Sequence, residues 1–270
     1  FWAAIANSFE EAGEEAGIKT IVTDGKSDAA TQVTALENFI SQGVDVIVVG
    51  PVDAESLQGV IGEAKNANIP VITHTTAYDD ATCNMNVDEI EMGTAIGQLA
   101  GQWMVDTFGE EAGCKYAILT QSQLEQTIGR ENGIQAGIEE FVPNAECVTK
   151  VDAHTTDLGM TAAENILSAH PDVCAIIGIN DSGALGAYET VSARDMRDEF
   201  FIGGVDGTDQ ALELIKGGTI YRGTVYLNPV GTGQQFIDYA LALKNGEEIP
   251  ESYMVPVNVI SAENIDEYIQ

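Results

Sequence analysis

The sequence predicts an α/β protein in which parallel sheets are flanked by helices on both faces. Short apolar runs alternate with amphipathic stretches along all 270 residues, and this alternation is typical of βαβ units. Most runs are rich in β-branched residues and apolar on both faces, as strands covered by helices on two sides are. The predicted strands are 20–24, 44–51, 69–75, 115–121, 147–153, 173–180, 200–206 and 221–227.

The predicted helices show apolar residues three and four apart, with glycine near several of their ends. Eight βα units could close one barrel or form two open sheets. The stretch 78–85 interrupts the alternation after three strands, and this favours two lobes. A last helix within 229–248 and a strand within 253–261 would return to the first lobe. The other predicted helices are 29–43, 54–68, 89–108, 133–142, 162–170 and 209–218.

The charge of the chain excludes several classes of partner. There are 43 acidic and 11 basic residues, which gives a net charge of -32. Nucleic-acid binding needs lysine and arginine to displace phosphate counterions, so the sequence predicts no nucleic-acid partner and no anionic membrane surface. No apolar run approaches the roughly 20 residues of a membrane-spanning helix. The acidity is compatible with a saline habitat.

No cofactor, metal site or catalytic residue is predicted. The GxSxG, P-loop, HExxH and GxGxxG motifs are absent, so an enzyme is not expected. The four cysteines form no CxxC pattern and have no histidine clustered near them, which argues against zinc and thiol redox chemistry. Cys114 and Cys147 each stand where a predicted strand starts, and a disulfide between them is a hypothesis.

Candidate ligand-binding residues follow the predicted strands, because ligands of open parallel sheets bind beyond the carboxyl ends of the strands. Asn180 and Asp206 close apolar strands and are the hardest to explain as structural residues. Arg130 could instead be a surface charge, and Asp181 is most simply a helix cap. His74, Thr75, His154 and Asn228 also follow predicted strands.

Seven segments, in this order and spacing, resemble one family across essentially the whole chain. They are the opening FW, ENFISQGVDVIVVGPVDAESL, ANIPVIT, GRENGI, ILSAHPDVCAIIGINDSGALGA, GGVDGTDQALELIKGG and VISAENIDEY. The chain resembles type I periplasmic binding proteins, in the ribose-binding-protein-like branch that serves ABC importers. LacI-type repressors share the same lobes behind a DNA-binding helix-turn-helix, which this sequence does not contain.

The resemblance implies two Rossmann-like lobes joined by three hinge crossings. The N-terminal lobe would comprise residues 1–87 plus 228–258, and the C-terminal lobe 88–227 plus 259–270. The lobes would close around a small sugar or polyol and deliver it to an ABC transporter permease. The protein would be a monomer in the periplasm or outside the cell, lipid-anchored in a Gram-positive envelope. A sugar sensor or chemoreceptor domain, a LacI-type regulator and an enzyme with a sugar substrate are the alternatives.

The resemblance also implies roles for individual residues. Phe1 and Trp2 match an aromatic pair that stacks on a sugar ring. Arg130, Asn180 and Asp206 match polar ligand contacts.

Four positions in or beside the predicted site depart from the family pattern. Thr75 and Thr76 stand where ribose binders have an aspartate and an arginine. His154 stands at a usually aromatic position, and Leu227, next to Asn228, replaces a glutamine. These changes argue against ribose as the ligand, and the remaining candidate ligands are another pentose, a hexose, a deoxysugar or a polyol. Because the family has a strand before the aromatic pair, we expect the natural chain to contain residues that precede Phe1.

Overall fold

The computed structural model describes residues 1–53, 55–109, 113–194 and 199–269. The chain divides into two compact units. The first unit comprises Phe1–Val87 and Asn228–Pro256, and the second comprises Asp88–Leu227 and Val257–Gln270. The chain therefore passes between the units three times. Residues 257 and 258 belong to the second unit, whereas the sequence expectation placed them in the first.

The first unit contains a four-stranded parallel sheet with the order β1-β2-β3-β9. Helix α1 packs against α9, and α2 packs against α3. The strands are β1 (Ile47–Val49), β2 (Val71–His74), β3 (Cys83–Asn86) and β9 (Ser252–Met254), and the helices are α1 (Trp2–Glu15), α2 (Ala29–Gln42), α3 (Gln58–Asn66) and α9 (Pro229–Lys244).

The second unit contains a six-stranded sheet with the order β10-β8-β7-β6-β4-β5, in which only the edge strand β10 is antiparallel to its neighbour. The strands are β4 (Lys115–Thr120), β5 (Glu146–Asp152), β6 (Val173–Gly178), β7 (Phe201–Asp206), β8 (Tyr221–Tyr226) and β10 (Asn258–Ser261). The helices are α4 (Glu89–Phe108), α5 (Glu125–Phe141), α6 (Thr156–Ala169), α7 (Asp181–Ser192) and α8 (Asp209–Lys216), followed by a short 3-10 helix, Ile265–Glu267.

The predicted α/β class is confirmed, and the long predicted helix 89–108 has the bounds of α4. Asp88 fixes its start, because the Asp88 carboxylate accepts a hydrogen bond from the Glu91 N–H at 2.9 Å. The predicted helix 54–68 begins with Ala54, which lies outside the described residues, and α3 itself begins at Gln58. Among the described residues, no helix combines the length and apolarity needed to cross a membrane.

Three strand predictions were wrong in detail. Residues 20–24 form no strand, and Ile21 and Val22 are 41% and 45% exposed. Strand propensity does not suffice there, because a strand also needs a neighbour for its ladder hydrogen bonds. The predicted interruption 78–85 contains most of β3, which alternates buried Cys83 and Met85 with asparagines, a residue type depleted in strands. The predicted strand in 253–261 is two strands, because Pro256 has no N–H to donate to a ladder.

The hypothesis of a Cys114–Cys147 disulfide was also wrong, because all four cysteines are free thiols. Cys147 pairs in register with Tyr116, two residues beyond Cys114. The thiol of Cys114 instead lies beside the thiol of Cys174 on β6, and each affects the pKa of the other. Burial raises the pKa of the Cys174 thiol to about 12, so this thiol is protonated at neutral pH.

The acidic surface leads to a prediction about salt. With a net charge of -32, carboxylates repel one another in the folded protein, and ion pairs such as Lys115–Asp172 at 2.8 Å can neutralise few of them. The screening length falls from about 10 Å at 0.1 M salt to about 3 Å at 1 M. We expect the Tm to rise by several degrees between 0.1 and 1 M NaCl, as measured by circular dichroism. Sucrose of equal osmolality is the control, and an unchanged Tm in NaCl would contradict the prediction.

Candidate functional site

The second unit brings four of the predicted ligand residues to the carboxyl ends of neighbouring strands. His154 follows β5, Asn180 follows β6 and Asp206 ends β7, while Arg130 lies in α5. These strands lie close together in the sheet, in the order β7-β6-β4-β5. The sequence prediction that these side chains gather at one edge therefore holds within this unit.

Arg130 is only 9% exposed and is held by two partners. Its Nε and Nη2 atoms each donate to Glu89 Oε2 at 2.8 Å, and Nη1 donates to the Ile179 carbonyl at 2.6 Å. Burial raises the pKa of the Glu89 carboxyl, and the neighbouring guanidinium opposes that rise. The alternative of a surface charge is excluded, because the arginine is a buried, ion-paired group beside the end of β6.

Two rows of glycines bring Arg130 to this position. Helices α4 and α5 pack face to face, and each has a glycine every fourth residue along the contact. A Cβ atom on Gly93 would overlap the Arg130 carbonyl oxygen, and one on Gly133 would overlap the Ile90 carbonyl oxygen. The helix backbones can approach this closely only because glycine has no side chain. The glycines of the contact are 93, 97 and 101 on α4, and 129, 133 and 137 on α5.

Asn180 joins the end of β6 to the end of β5. Its Oδ1 accepts from the Gly183 N–H at 3.0 Å and caps α7, and its Nδ2 donates to the His154 carbonyl at 2.9 Å. The amide retains one N–H and part of the acceptor capacity of its oxygen for other partners. Both residues are half-buried. Asn180 therefore has a structural role whether or not it also contacts a ligand.

Asp206 combines a perturbed pKa with a strained backbone. Burial raises the pKa of Asp206 to about 7, and the charge of Asp181 adds to the rise, while Arg130 lowers it. The φ angle of Asp206 is 130°, and that of Gly207 is 69°. Strained residues and perturbed carboxyls both concentrate at functional sites.

The first unit gathers three aromatic rings at the end of β2. The rings of Phe1 and Trp2 meet edge to face at 5.3 Å, and Trp2 meets the His74 imidazole at 5.4 Å. The indole lies against Gly50, where a Cβ atom would overlap it, and Trp2 is 50% exposed. The predicted aromatic pair therefore offers an accessible apolar surface, as stacking on a sugar ring requires.

His74, one of the polar residues predicted near the end of a strand, is the last residue of β2. It is 1% exposed, and neither ring nitrogen has a hydrogen-bond partner within the described part of the chain. Burial lowers the pKa of His74 to about 4, so the imidazole is neutral at physiological pH. Its contacts with Trp2 and Phe236 show that it packs as an aromatic ring.

Positive φ angles distinguish three predicted site residues. Thr75 has a φ of 73°, which is unusual for a β-branched residue, and Asn228 has a φ of 48°. Asn228 accepts from the Gly231 N–H at 3.0 Å and caps α9. With Asp206, they make up three of the six described non-glycine residues that have positive φ. Three of the eight predicted ligand residues therefore have an unusual backbone conformation, and such residues concentrate at functional sites.

The described residues contain no group of three or more histidine, cysteine or acidic side chains arranged to hold a metal ion. The polar groups that the second unit gathers are instead one guanidinium, one amide, one imidazole and one carboxylate. Such a set can donate and accept hydrogen bonds with several hydroxyl groups at once.

The chain is similar to known proteins along most of its length. A family model described as a periplasmic binding protein domain matches residues 1–248. The ribose import binding protein of Bacillus subtilis is 26% identical over 267 residues, which cover 96% of this chain and 82% of that protein.

Solved structures match over nearly the whole chain. An ABC transporter solute-binding protein from Bacillus halodurans with bound myo-inositol is 28% identical, with a TM-score of 0.85 over 99% of this chain and 92% of the other. A protein from Mycobacterium smegmatis in complex with β-D-fucofuranose is 27% identical, with a TM-score of 0.86 over 99% and 89%. As its motifs predicted, the chain belongs to the family of periplasmic binding protein domains.

Proposed function

We propose that the protein is the extracytoplasmic solute-binding component of an ABC importer and captures a small sugar or polyol. The observation that carries the proposal is the gathering of Arg130, Asn180 and Asp206 at the ends of neighbouring strands, in a chain that belongs to this family. Ribose, myo-inositol and fucofuranose, which the names of similar proteins include, are all polyhydroxylated and uncharged.

Each proposed contact has a chemical reason. Phe1 and Trp2 cover the apolar C–H face of the ring. Arg130 donates to ring and hydroxyl oxygens, while the Asp206 carboxylate accepts from hydroxyl groups in strong, charge-assisted hydrogen bonds. Asn180 and His154 add further polar contacts, since each retains hydrogen-bonding capacity.

Two more positions complete the proposed set. Thr75 and Asn228 contribute a hydroxyl and an amide from the first unit. We expect the departures from the family pattern at Thr75, Thr76, His154 and Leu227 to determine which pentose, hexose, deoxysugar or polyol binds.

The proposed partner is a membrane permease, which accepts the ligand from the binding protein. The protein works outside the cytoplasmic membrane, in the periplasm or at the cell surface. Anchoring by a lipid would hold it there in a Gram-positive envelope. The proteins to which this chain is similar are named for binding and import, so we expect no turnover of the ligand.

Thermal melting with a panel of sugars tests the proposed function. We expect at least one of D-ribose, D-fucose, D-allose, L-arabinose and myo-inositol at about 1 mM to raise the Tm by several degrees. A ligand with micromolar affinity adds roughly 4 kcal/mol to the free energy of unfolding at that concentration. Polyethylene glycol at the same mass concentration is the control. A cooperative melt that none of these or further sugars and polyols shifts would contradict the proposal.

A further inference from the structure

Asp181 is a buried carboxylate with four neutral hydrogen-bond donors. It is the first residue of α7, yet Asn180 is the cap of that helix, and Asp181 is 0% exposed. Its Oδ1 accepts from the Tyr221 hydroxyl at 2.7 Å and from the Thr224 hydroxyl at 2.8 Å. Its Oδ2 accepts from the N–H and the hydroxyl of Thr208 at 2.8 and 3.0 Å. The interpretation of Asp181 as a helix cap was therefore wrong.

These bonds hold the turn that carries Asp206. The turn runs through Asp206, Gly207 and Thr208, and its first two residues have positive φ. Asp181 holds Thr208, and the Gly207 N–H donates to the Thr224 hydroxyl at 3.1 Å. The backbone N–H of Asp181 in turn lies close enough to the Asp206 carboxylate to lower its pKa. Hydrogen bonds to side chains therefore hold Gly207 and Thr208, the two residues that follow Asp206 in the turn.

The Asp181 carboxylate is closely packed, and the adjacent strand leaves no room for a side chain at Gly204. A Cβ atom on Gly204, in the adjacent strand β7, would lie 2.6 Å from Asp181 Oδ1 and 2.8 Å from the Tyr221 hydroxyl. A buried charge is costly unless hydrogen-bond donors surround it. Here the donors are neutral groups of Thr208 in the turn and of Tyr221 and Thr224 in β8. A strained backbone angle such as the φ of Asp206 is stable only where several contacts of the surrounding structure hold it in place.

We propose that Asp181 is a positioning residue that fixes the Asp206 turn and thereby sets the ligand affinity without touching the ligand. The inference rests on the proposed function, since Asp206 is the residue through which Asp181 acts. Both oxygens of Asp181 are occupied by donors of the protein itself, so its effect on binding passes through the geometry of Asp206.

Two substitutions of Asp181 separate hydrogen bonding from charge. In Asp181→Asn, the amide oxygen can accept from Thr208, and the NH₂ group can donate to the hydroxyls of Tyr221 and Thr224, which rotate to accept. Asp181→Ala removes all four bonds. The control is Asp157→Ala, which removes an exposed carboxylate from the first turn of α6.

The affinity is measured by isothermal titration calorimetry with whichever panel sugar raises the wild-type Tm most. We expect Asp181→Ala to bind at least tenfold more weakly, Asp181→Asn to stay within about threefold of the wild type, and Asp157→Ala to be unchanged. If Asp181→Ala does not fold, Thr224→Val removes one anchor of the turn and should weaken binding several-fold. Wild-type affinity in the folded Asp181→Ala, or in Thr224→Val in its place, would overturn the inference.

A second readout needs no ligand. In carbon-13 NMR of the ligand-free protein, the Asp206 carboxyl is identified by its loss in Asp206→Asn and is titrated with pH. Within this unit, Asp181 on α7, Arg130 on α5 and Tyr221 on β8 are the ionisable groups that act on it.

We expect the titration midpoint of Asp206 to fall in Asp181→Asn, because a neighbouring negative charge is lost while the turn remains. The midpoint in Asp181→Ala should differ from that in Asp181→Asn, because both variants lose the charge but only Asp181→Ala loses the bonds to the turn. Equal midpoints in the two variants would overturn the inference. If the midpoint falls but no sugar binds the wild type, the proposed function fails while the link between Asp181 and Asp206 stands.

Discussion

Replacing Asp206 with alanine is expected to weaken sugar binding by about 30-fold or more, equivalent to about 2 kcal/mol, while the protein stays folded. Asp206 ends β7 at the edge of the sheet where Arg130 and Asn180 also lie. A carboxylate makes stronger hydrogen bonds to hydroxyl groups than a neutral acceptor does. Its loss leaves ligand hydroxyls without partners once they are removed from water.

The fold should survive, because the Asp206 carboxylate does not stabilise it at neutral pH. Burial and the charge of Asp181 raise the pKa of Asp206 to about 7, whereas an unfolded aspartate titrates near 3.9. Between these values the folded protein binds a proton that the unfolded chain does not. The stability from this carboxyl is therefore greatest below about pH 4 and is lost as the pH rises through 7. We expect the Tm of Asp206→Asn at pH 8 to equal or exceed that of the wild type.

The same titration predicts how the affinity depends on pH. Ligand hydroxyls bind best to the ionised carboxylate, so the wild-type affinity should rise from pH 5.5 to about 7 and level off above that. The matched variant Asp206→Asn should bind weakly with no such rise. Calorimetric titrations at pH 5.5, 6.5, 7.5 and 8.5 measure both proteins. Wild-type affinity in Asp206→Ala would place Asp206 outside the site, and an equally steep rise in Asp206→Asn would assign the titration to another group.

The sequence predicts the parts of the fold that depend on local patterns. The alternation of apolar runs with amphipathic stretches identified most strands of the second unit, since these are buried on both faces. Helix α4 was predicted with its observed bounds, Glu89–Phe108, because its apolar spacing is a local pattern. Arg130, Asn180 and Asp206 were predicted as ligand residues from their positions after such strands and from the family resemblance.

Properties that depend on distant parts of the chain could not be predicted in this way. Strand β3 lies between β2 and β9, and its polar residues have partners in neighbouring strands. The Thr73 hydroxyl of β2, for example, donates to Asn84 Oδ1 at 2.7 Å. The sequence of β3 alone does not show these partners. Asp181 was assigned to its own helix because its real donors lie 27 to 43 residues further along the chain.

The close packing of α4 and α5 is the second feature with a large expected effect. In Gly93→Ala, the new Cβ would overlap the backbone carbonyl oxygen of Arg130. No side-chain rotation relieves a clash with backbone, so the two helices must separate. Separation would also stretch the buried ion pair between Arg130 and Glu89, whose loss is costly because it leaves buried charge unpaired.

We expect Gly93→Ala to lower the free energy of unfolding by about 3 kcal/mol or more, and to weaken ligand binding through the displaced Arg130. The matched control is Gly59→Ala in α3, where an added Cβ meets no atom within 4 Å. That variant should be neutral or stabilising, because alanine is favoured over glycine in a helix by about 1 kcal/mol. Thermal and urea unfolding of both variants measure the difference. A Gly93→Ala protein as stable as Gly59→Ala would mean that the two helices can separate at no cost, and that their close approach is not what holds Arg130 in place.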